Sequence, residues 1–339
     1  MDIKRVDIQS HQPVLIKSLI DQIAPVTGVW VDCTFGAGGY SKALLEAGAQ
    51  KIIGLDRDPS ASVHANKLKA TYGTKIEFYK SKFSSLETIV AQLGLKKIAG
   101  VVFDVGLSSM QIDEASRGFS HQQAGPLDMR MSQNGITAAD IINNATEEEL
   151  ADIIYFYGEV KSARTIARAI ITERAKKEIV STDHLATIVN RVSYRWRAGG
   201  KKKSNSCTLT FQALRIAVNN ELEELNSGLI AAEKVLAEGA TLAVVSFHSL
   251  EDRLVKQFIK SRSKRYSGQS RYLPHSNTLS PTFRELLKKV VRPDDEEVAT
   301  NSRARSGKLR LAIKLKSNKN DQSKSLIKFP QVQFSLGQK

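Results

Sequence analysis

The stretch that decides the fold is Asp32-Cys33-Thr34-Phe35-Gly36-Ala37-Gly38-Gly39-Tyr40-Ser41. The short apolar run Val29-Trp30-Val31 leads into it, and a helical pattern begins directly at Ser41. Glycines in such a strand-to-helix turn let the backbone bend tightly and approach a ligand at the N-terminus of a helix. Turns of this kind serve several nucleotide-derived cofactors. The dinucleotide pattern G-x-G-x-x-G requires glycine at position 41, where this chain has serine, and this departure disfavours a nicotinamide cofactor.

Strand and helix patterns alternate outward from this turn. Strand-like apolar runs occupy residues 29–31, 51–55, 76–79 and 98–105, and helical patterns occupy residues 41–47, 60–71 and 84–93. Strands that recur about every 25 residues with helices between them predict a parallel sheet with helices on both faces. The predicted fold class is therefore α/β, with a doubly wound, Rossmann-like sheet. Ligands of such sheets bind beyond the carboxyl ends of the strands.

The pattern changes after residue 109, where long helical stretches follow one another without strands. They cover residues 146–157, 161–178, 182–196 and 208–237. An apolar strand at 241–247 then resumes the sheet, and a helix follows at 250–260. The run 308–315 alternates polar with apolar residues, which predicts a half-exposed antiparallel strand.

These patterns divide the chain into three parts. Residues 1–110 and 239–316 are predicted to form one cofactor-binding domain, and residues 111–238 an inserted helical domain. The tail, 317–339, is polar and basic and is predicted to be disordered.

Three side chains follow successive strands of the predicted sheet. Asp56 lies 18 residues after Gly38, where a carboxylate can accept hydrogen bonds from both hydroxyls of a ribose. The alternative for Asp56 is a helix-capping or turn aspartate. Phe83 follows the third strand, beside the place expected for an adenine, although a lone aromatic is more often core. Asp104 ends the fourth strand, where a polar side chain faces both a cofactor and an incoming substrate; its alternative is a buried structural aspartate.

The composition favours a polyanionic partner. The net charge is +15, and residues 240–339 alone carry 21 basic and 8 acidic side chains. A surface of that charge attracts phosphates, so nucleic acid is the expected partner. The charged N-terminus and the absence of an apolar run of ~20 residues predict no secretory signal and no membrane span, and hence a cytoplasmic protein. Two cysteines, Cys33 and Cys207, are too few for a disulfide framework or a zinc site, and no metal is expected.

Two segments combine cations with aromatic residues and lack acidic ones. The first is Arg191-Val192-Ser193-Tyr194-Arg195-Trp196-Arg197 together with Lys201-Lys202-Lys203, and the second is residues 256–271 with Tyr266. Single-stranded RNA needs positive charge for its phosphates and stacking surfaces for its bases, so both segments are candidate RNA contacts. The alternative for each is a solvated helix face followed by a loop.

Blocks along nearly the whole chain, from about residue 10 to 315, resemble one family. The blocks are His11-x-Pro13-Val14-Leu15, Asp32-x-Thr34-Phe35-Gly36-x-Gly38-Gly39-Tyr40-Ser41, Leu55-Asp56-Arg57-Asp58-Pro59, Asp104-Val105-Gly106-Leu107-Ser108-Ser109-x-Gln111-Ile112-Asp113, Arg117-Gly118-Phe119-Ser120, Gly125-Pro126-Leu127-Asp128-Met129-Arg130-Met131, Thr210-Phe211-Gln212-Ala213-Leu214-Arg215, Ser246-Phe247-His248-Ser249-Leu250-Glu251-Asp252-Arg253 and Arg303-Ala304-Arg305-Ser306-x-Lys308-Leu309-Arg310. They are similar to the signature blocks of the RsmH (MraW) family of bacterial 16S rRNA cytosine-N4 methyltransferases.

The resemblance implies a class I methyltransferase that transfers a methyl group from S-adenosylmethionine to the exocyclic N4 of a cytidine. The implied substrate is the decoding region of 16S rRNA in the small ribosomal subunit. The resemblance also implies that the inserted helical domain, residues 111–238, helps to bind this substrate, and that the protein forms a homodimer. The residues implied to contact the cofactor are Gly38, Gly39, Tyr40, Asp56, Phe83, Asp104 and Gln111. One block departs from the family's Pro-x-Thr-Arg-Thr-Phe-Gln, because Ser206 and Leu209 replace the proline and the arginine. This departure bears on the local RNA contacts.

A cytosine amino group is a poor nucleophile because its lone pair is delocalised into the ring. A hydrogen-bond acceptor near N4 localises that lone pair, and Asp104 is the first candidate for this catalytic role. His248 is the second, with a structural histidine as its alternative. Two other classes of function remain open: a catalytically silent RNA-binding or ribosome-assembly protein, which would bind no S-adenosylmethionine, and a nicotinamide oxidoreductase.

Overall fold

A seven-stranded mixed sheet organises the larger part of the molecule. The computed structural model describes residues 13–197, 205–263, 280–316, 327 and 329–333. The strands are β1 (Val29–Asp32), β2 (Lys51–Asp56), β3 (Ile76–Lys80), β4 (Ile98–Asp104), β5 (Leu236–Ser246), β6 (Phe283–Glu285) and β7 (Lys308–Lys314), in the order β3-β2-β1-β4-β5-β7-β6. Strands β1 to β5 are parallel, and β7 pairs antiparallel with β5 and β6. The predicted α/β class and the antiparallel last strand are confirmed.

The strand order places three carboxylates at one edge of the sheet. Strand β1 lies between β2 and β4, and all three run in the same direction. Their carboxyl ends carry Asp32, Asp56 and Asp104. The chain runs from β1 to β2 and β3 on one side and then continues with β4 on the other side of β1. Doubly wound folds open a crevice for a ligand where the strand order reverses in this way, at the carboxyl ends of the strands.

Thirteen helices are found among the described residues. They are α1 (Ile16–Ile23), α2 (Gly39–Glu46), α3 (Ala61–Tyr72), α4 (Leu86–Gln92), α5 (Ser109–Asp113), α6 (Ala138–Asn144), α7 (Glu147–Gly158), α8 (Ala163–Arg174), α9 (Thr182–Arg197), α10 (Ser206–Asn219), α11 (Glu221–Val235), α12 (Ser249–Ser263) and α13 (Asp295–Thr300). Helices α5 to α10 follow one another without an intervening strand, as the sequence pattern predicts for residues 111–238. No helix of the described part is long and apolar enough to cross a membrane.

Internal packing divides the chain into two compact units. The sheet unit comprises residues 1–56, 60–106 and 227–325, and the helical unit comprises residues 57–59, 107–226 and 326–339. The limits of the helical unit differ from the predicted ones: its main segment begins at residue 107 rather than 111 and ends at 226 rather than 238, and residues 326–339 of the predicted tail belong to it. The short segment 57–59 belongs to the helical unit, and the second half of α11 belongs to the sheet unit. Whether the predicted domains fold independently stays a prediction.

Two local features differ from the sequence patterns. The helix expected over residues 208–237 is interrupted at Asn220, whose φ of 51° ends α10 in the left-handed conformation that asparagine tolerates better than most residues. In the tail, Val332 donates its N–H to Tyr157 Oη (3.0 Å), and Gln331 Nε2 donates to Glu223 Oε2 (3.1 Å). Phe329, Pro330 and Val332 are apolar, which favours packing of this piece within the helical unit. The remainder of the predicted disordered tail lies outside the described residues.

Candidate cofactor and active site

The glycine turn after β1 is shaped by the protein's own packing. Gly38 has a φ of +80°, and a Cβ at this position would lie 2.2 Å from Leu68 Cδ1. A Cβ on Gly39 would lie 2.3 Å from Pro13 Cγ. The N–H of Gly36 donates to Asp56 Oδ2 at 2.7 Å, which ties the turn to the end of β2. Glycine is therefore required at positions 38 and 39 before any ligand is considered.

Tyr40 faces away from the turn. Its side chain is buried, and its hydroxyl donates to the carbonyl of Val14. The segment that Tyr40 holds is also fixed by a hydrogen bond from the Leu15 N–H to Glu297 Oε1 (2.6 Å). The hydroxyl hydrogen of Tyr40 is therefore used inside the protein, and a cofactor contact by Tyr40 stays a prediction.

The side chain of Asp32 holds the glycine turn in place through hydrogen bonds. The side chain is fully buried, its Oδ2 accepts from Ser41 Oγ at 2.7 Å, and its Oδ1 accepts from the Thr34 N–H at 3.2 Å. Burial raises the pKa of Asp32 to about 6, although the bonds from Ser41 and Thr34 lower it. From the sequence, Asp32 is only a member of the block that contains the glycine turn, and no separate role is predicted for it.

Asp56 and Phe83 are both half-buried. Beyond the Gly36 bond, Asp56 makes further interactions inside the protein. The Phe83 ring packs edge-on against Phe103, with centroids 5.6 Å apart. A Cβ on Gly228 of α11 would lie 2.7 Å from Phe83 Cδ2, so the ring also lies directly against that helix. Phe83 thus serves the core on one side and remains accessible on the other.

Asp104 presents a carboxylate without a donor. Its backbone N–H donates to Thr34 Oγ1 at 2.6 Å, which fixes the end of β4 against the glycine turn. The residue is half-buried, its Oδ1 is fully enclosed, and no described residue donates a hydrogen bond to this oxygen. Burial, followed by the negative charges of Asp32 and Glu251, holds the pKa of Asp104 well above its ordinary value. Such a carboxylate is suited to a donor or a cation that comes from outside the protein.

His248 is tied to the start of α12. Its Nδ1 lies 3.4 Å from the N–H of Glu251, and its Nε2 lies 2.9 Å from Glu251 Oε1. Glu251 Oε2 in turn accepts from the N–H groups of Phe247 (2.9 Å) and His248 (3.2 Å). These contacts favour the structural alternative for His248 over a role in proton transfer.

Gln111 belongs to the helical unit, unlike the other six predicted cofactor residues. Its side chain is buried and bonds to Ser108 and Asp58 of the same unit.

The candidate RNA segments are only partly described. Arg191 pairs with Glu173 (3.0 Å), and the buried Arg262 pairs with Glu233 and stacks 3.8 Å from the centre of the Phe258 ring. Arg262 is thus held inside the protein, whereas Arg191 is exposed and pairs at the surface. The side chains of residues 194–197, the triplet Lys201-Lys202-Lys203 and residues 264–271 with Tyr266 lie outside the described residues. In the departing block, Thr208 is exposed, and its Oγ1 lies 2.9 Å from His121 Nε2.

A sheet of this strand order with an antiparallel β7, a glycine turn after β1 and carboxylates at the ends of β2 and β4 defines a class I S-adenosylmethionine-dependent methyltransferase. Residues 8–315 match the model of the MraW methylase family. Ribosomal RNA small subunit methyltransferase H of Roseobacter denitrificans is 49% identical over 304 residues, which cover 90% of each chain. The proteins of that name from Jannaschia sp. and Bradyrhizobium diazoefficiens are 45% and 47% identical, with 97% and 93% of this chain and 98% and 95% of theirs covered. The chain belongs to the MraW methylase family.

Proposed function

We propose that this protein transfers a methyl group from S-adenosylmethionine to the exocyclic N4 of a cytidine in the decoding region of 16S rRNA. Relatives that carry the name ribosomal RNA small subunit methyltransferase H support an rRNA substrate. The observation that carries the chemistry is the carboxylate of Asp104, half-buried at the end of β4 with an enclosed oxygen that no described residue bonds.

The described residues fit the cofactor. Because Gly38 and Gly39 carry no side chains, the backbone of the turn leaves room for a cofactor to come close. Asp56 offers carboxylate oxygens for ribose hydroxyls, and the accessible side of Phe83 suits an adenine. When bound, S-adenosylmethionine supplies an activated methyl group and its own leaving group.

Asp104 carries the catalytic role in this proposal. Its carboxylate accepts a hydrogen bond from the N4 amino group, which localises the nitrogen lone pair toward the methyl group. Holding the two reacting atoms in line can supply several kcal/mol, up to ~7–11 in ideal cases. The carboxylate also stabilises the positive charge that develops on N4, and it then accepts the proton that the methylated nitrogen loses.

The substrate and the setting follow from the same proposal. The inserted helices bind the RNA, with the small ribosomal subunit as the particle that presents it, and the protein acts in the cytoplasm. Homodimer formation stays a prediction. Mass mapping of 16S rRNA from cells that lack and re-express this protein tests the target. Loss and return of one methyl group on a decoding-region cytidine is expected, and an unchanged map would contradict the proposed target.

Replacing Asp56 by alanine is expected to weaken S-adenosylmethionine binding by about 1.5–3 kcal/mol, the range for a lost hydrogen bond to a charged group. Calorimetry measures the affinity, and circular dichroism checks that the variant is folded. Asp21→Ala, at an exposed position of α1, is the matched control. Unchanged affinity in folded Asp56→Ala would remove Asp56 from the site. Absence of binding in the wild-type protein would favour the silent RNA-binding alternative.

Replacing Lys201, Lys202 and Lys203 by alanine should weaken RNA binding and flatten its salt dependence, while cofactor affinity stays the same. Each lost phosphate contact lowers the magnitude of the log–log salt slope by about 0.7 on single-stranded RNA. A control that removes the same charge is the triple variant at Lys67, Lys69 and Lys75, which are exposed on and after α3. If both triple variants give the wild-type slope, the triplet is only a solvated loop.

A further inference from the structure

A buried polar cluster in the helical unit has no role in the chemistry described so far. Asp58 is 3% exposed, and its Oδ2 accepts from Gln111 Nε2 (2.8 Å) and Arg117 Nη2 (2.9 Å). Arg117 is 8% exposed and also donates to the carbonyls of Arg130 and Met131, each at 3.0 Å. A buried ion pair offsets its desolvation cost only when further hydrogen bonds satisfy its polar groups. This pair meets that condition.

Gln111 is held at both ends of its amide. The side-chain Oε1 of Gln111 accepts from the backbone N–H of Ser108 (3.1 Å). The backbone N–H of Gln111 donates to Ser108 Oγ (3.3 Å), and the two bonds make a capping box at the start of α5. An ionised carboxylate can only accept hydrogen bonds. Asp58 therefore orients the amide, with Nε2 toward Asp58 and Oε1 toward Ser108.

The cluster joins two segments that continue directly from strand ends. Asp58 follows Asp56 by two residues, and Ser108 follows Asp104 by four. Within the helical unit, the bonds from Asp58 and Arg117 thus fix the course of the backbone that leaves β2 and β4. A misplacement of about 1 Å at a reacting group can lower a rate 10²-fold, so the course of these segments matters to the reaction.

We propose that Asp58 and Arg117 are positioning residues for methyl transfer, which act by locking Gln111 and the α5 cap that follows Asp104. This inference rests on the proposed function. In this role neither Asp58 nor Arg117 touches the cofactor or the substrate. Gln111 is the link, because its amide is bonded to the ion pair on one side and to the cap on the other.

An exchange of the two partners tests the proposal. Gln111→Glu sets two carboxylates against each other, and Asp58→Asn removes the charge that faces Arg117. Each single variant should raise the Kd for S-adenosylmethionine by about 10-fold or more and should lower kcat, because Gln111, a predicted cofactor contact, and the segment that follows Asp104 lose their fixed positions. In the double variant, the carboxylate at position 111 accepts from the asparagine amide and from the Ser108 N–H. The asparagine oxygen accepts from Arg117, and the cluster again holds one carboxylate for the Arg117 cation. Its Kd and kcat should return to within about threefold of wild type.

The free energy of unfolding of each variant separates positioning from stability. If stability recovers in the double variant while Kd and kcat stay at the values of the single variants, the proposal is overturned. If a single variant does not fold, Gln111→Met is used in its place. Methionine keeps the length of the side chain but makes neither the bond to Asp58 nor the bond to Ser108. Wild-type Kd and kcat in Gln111→Met would also overturn the proposal.

A control and a reference complete the design. Glu147→Gln breaks a surface ion pair of the same unit, that with Arg168, and should leave the Kd unchanged. The reference is wild-type binding of S-adenosylmethionine. Its absence would overturn the proposed function, whereas normal wild-type binding with a failed exchange overturns only the positioning role.

Discussion

Turnover by the Asp104→Asn variant is expected to fall by about 10²-fold or more at saturating S-adenosylmethionine, the range for one catalytic proton-transfer group. Asparagine keeps the size of the side chain and one acceptor oxygen but removes the negative charge. A residue that only orients the cofactor would lose affinity with little change in turnover. A residue that stabilises the charge developing on N4 loses turnover even when the cofactor is saturating, because that interaction is strongest in the transition state.

Single-turnover rates on small-subunit particles measure the effect, with Asp21→Asn as a surface control. Near-normal turnover in Asp104→Asn would contradict the catalytic assignment and move it to a backbone carbonyl of the same loop or to His248. The second choice is weakened by the contacts that already hold the His248 ring against Glu251.

The pH profile gives an independent check on Asp104. The pKa of Asp104 is raised in the folded protein. As the pH falls, the carboxylate of Asp104 is therefore protonated at a higher pH than that of an ordinary aspartate. Since the carboxylate is the form that accepts from N4, the acid limb of kcat/KM should lie above the ordinary aspartate range. Asp104→Asn should lack that limb.

The sheet could be predicted from the sequence because its signals are local. The apolar runs and the glycine turn gave β1, β2, β3 and β4, and the alternation at 308–315 gave an antiparallel strand. Strand β6 has only three residues, too few for a periodic signal. The break at Asn220 was missed because apolar residues continue on both sides of it, at Ile216 and Leu222. A single left-handed residue leaves no trace in such a pattern.

The sequence predicts those residues of the candidate site whose position relative to a strand is enough to identify them. Asp56 and Asp104 stand at strand ends, and their placement follows from the strands alone. Asp58 and Arg117 were only members of quoted blocks, since the bond between them joins residues 59 positions apart, and a single sequence does not show that pairing. Tyr40 illustrates the same limit. A single sequence does not show that its hydroxyl is bonded to Val14, 26 residues away, and the cofactor contact implied by the resemblance stays a prediction.

Asp32→Asn should change the pH dependence of stability. The pKa of Asp32 is about 6 in the folded protein and 3.8 as its ordinary value, so the folded state holds this proton more tightly than the unfolded state. The stabilisation from Asp32 is therefore fully present below about pH 4 and is lost as the pH rises through about 6. A difference of about two pKa units corresponds to about 3 kcal/mol in the free energy of unfolding. The Asp32→Asn variant does not lose this amount as the pH rises, because its amide does not titrate.

The measurement is the free energy of unfolding of both proteins at a series of pH values. The substitution also alters the bonds to Ser41 and Thr34, but this contribution to the free energy of unfolding is the same at every pH. It therefore cancels when the difference between variant and wild type at one pH is compared with the difference at another. Relative to wild type, Asp32→Asn should gain about 3 kcal/mol between pH 4 and pH 7. Ser41→Ala provides a matched test of the cause. The bond from Ser41 lowers the pKa of Asp32, so its removal should shift the loss of stability to higher pH. A constant difference between wild type and Asp32→Asn would show that the buried carboxyl does not titrate in this window.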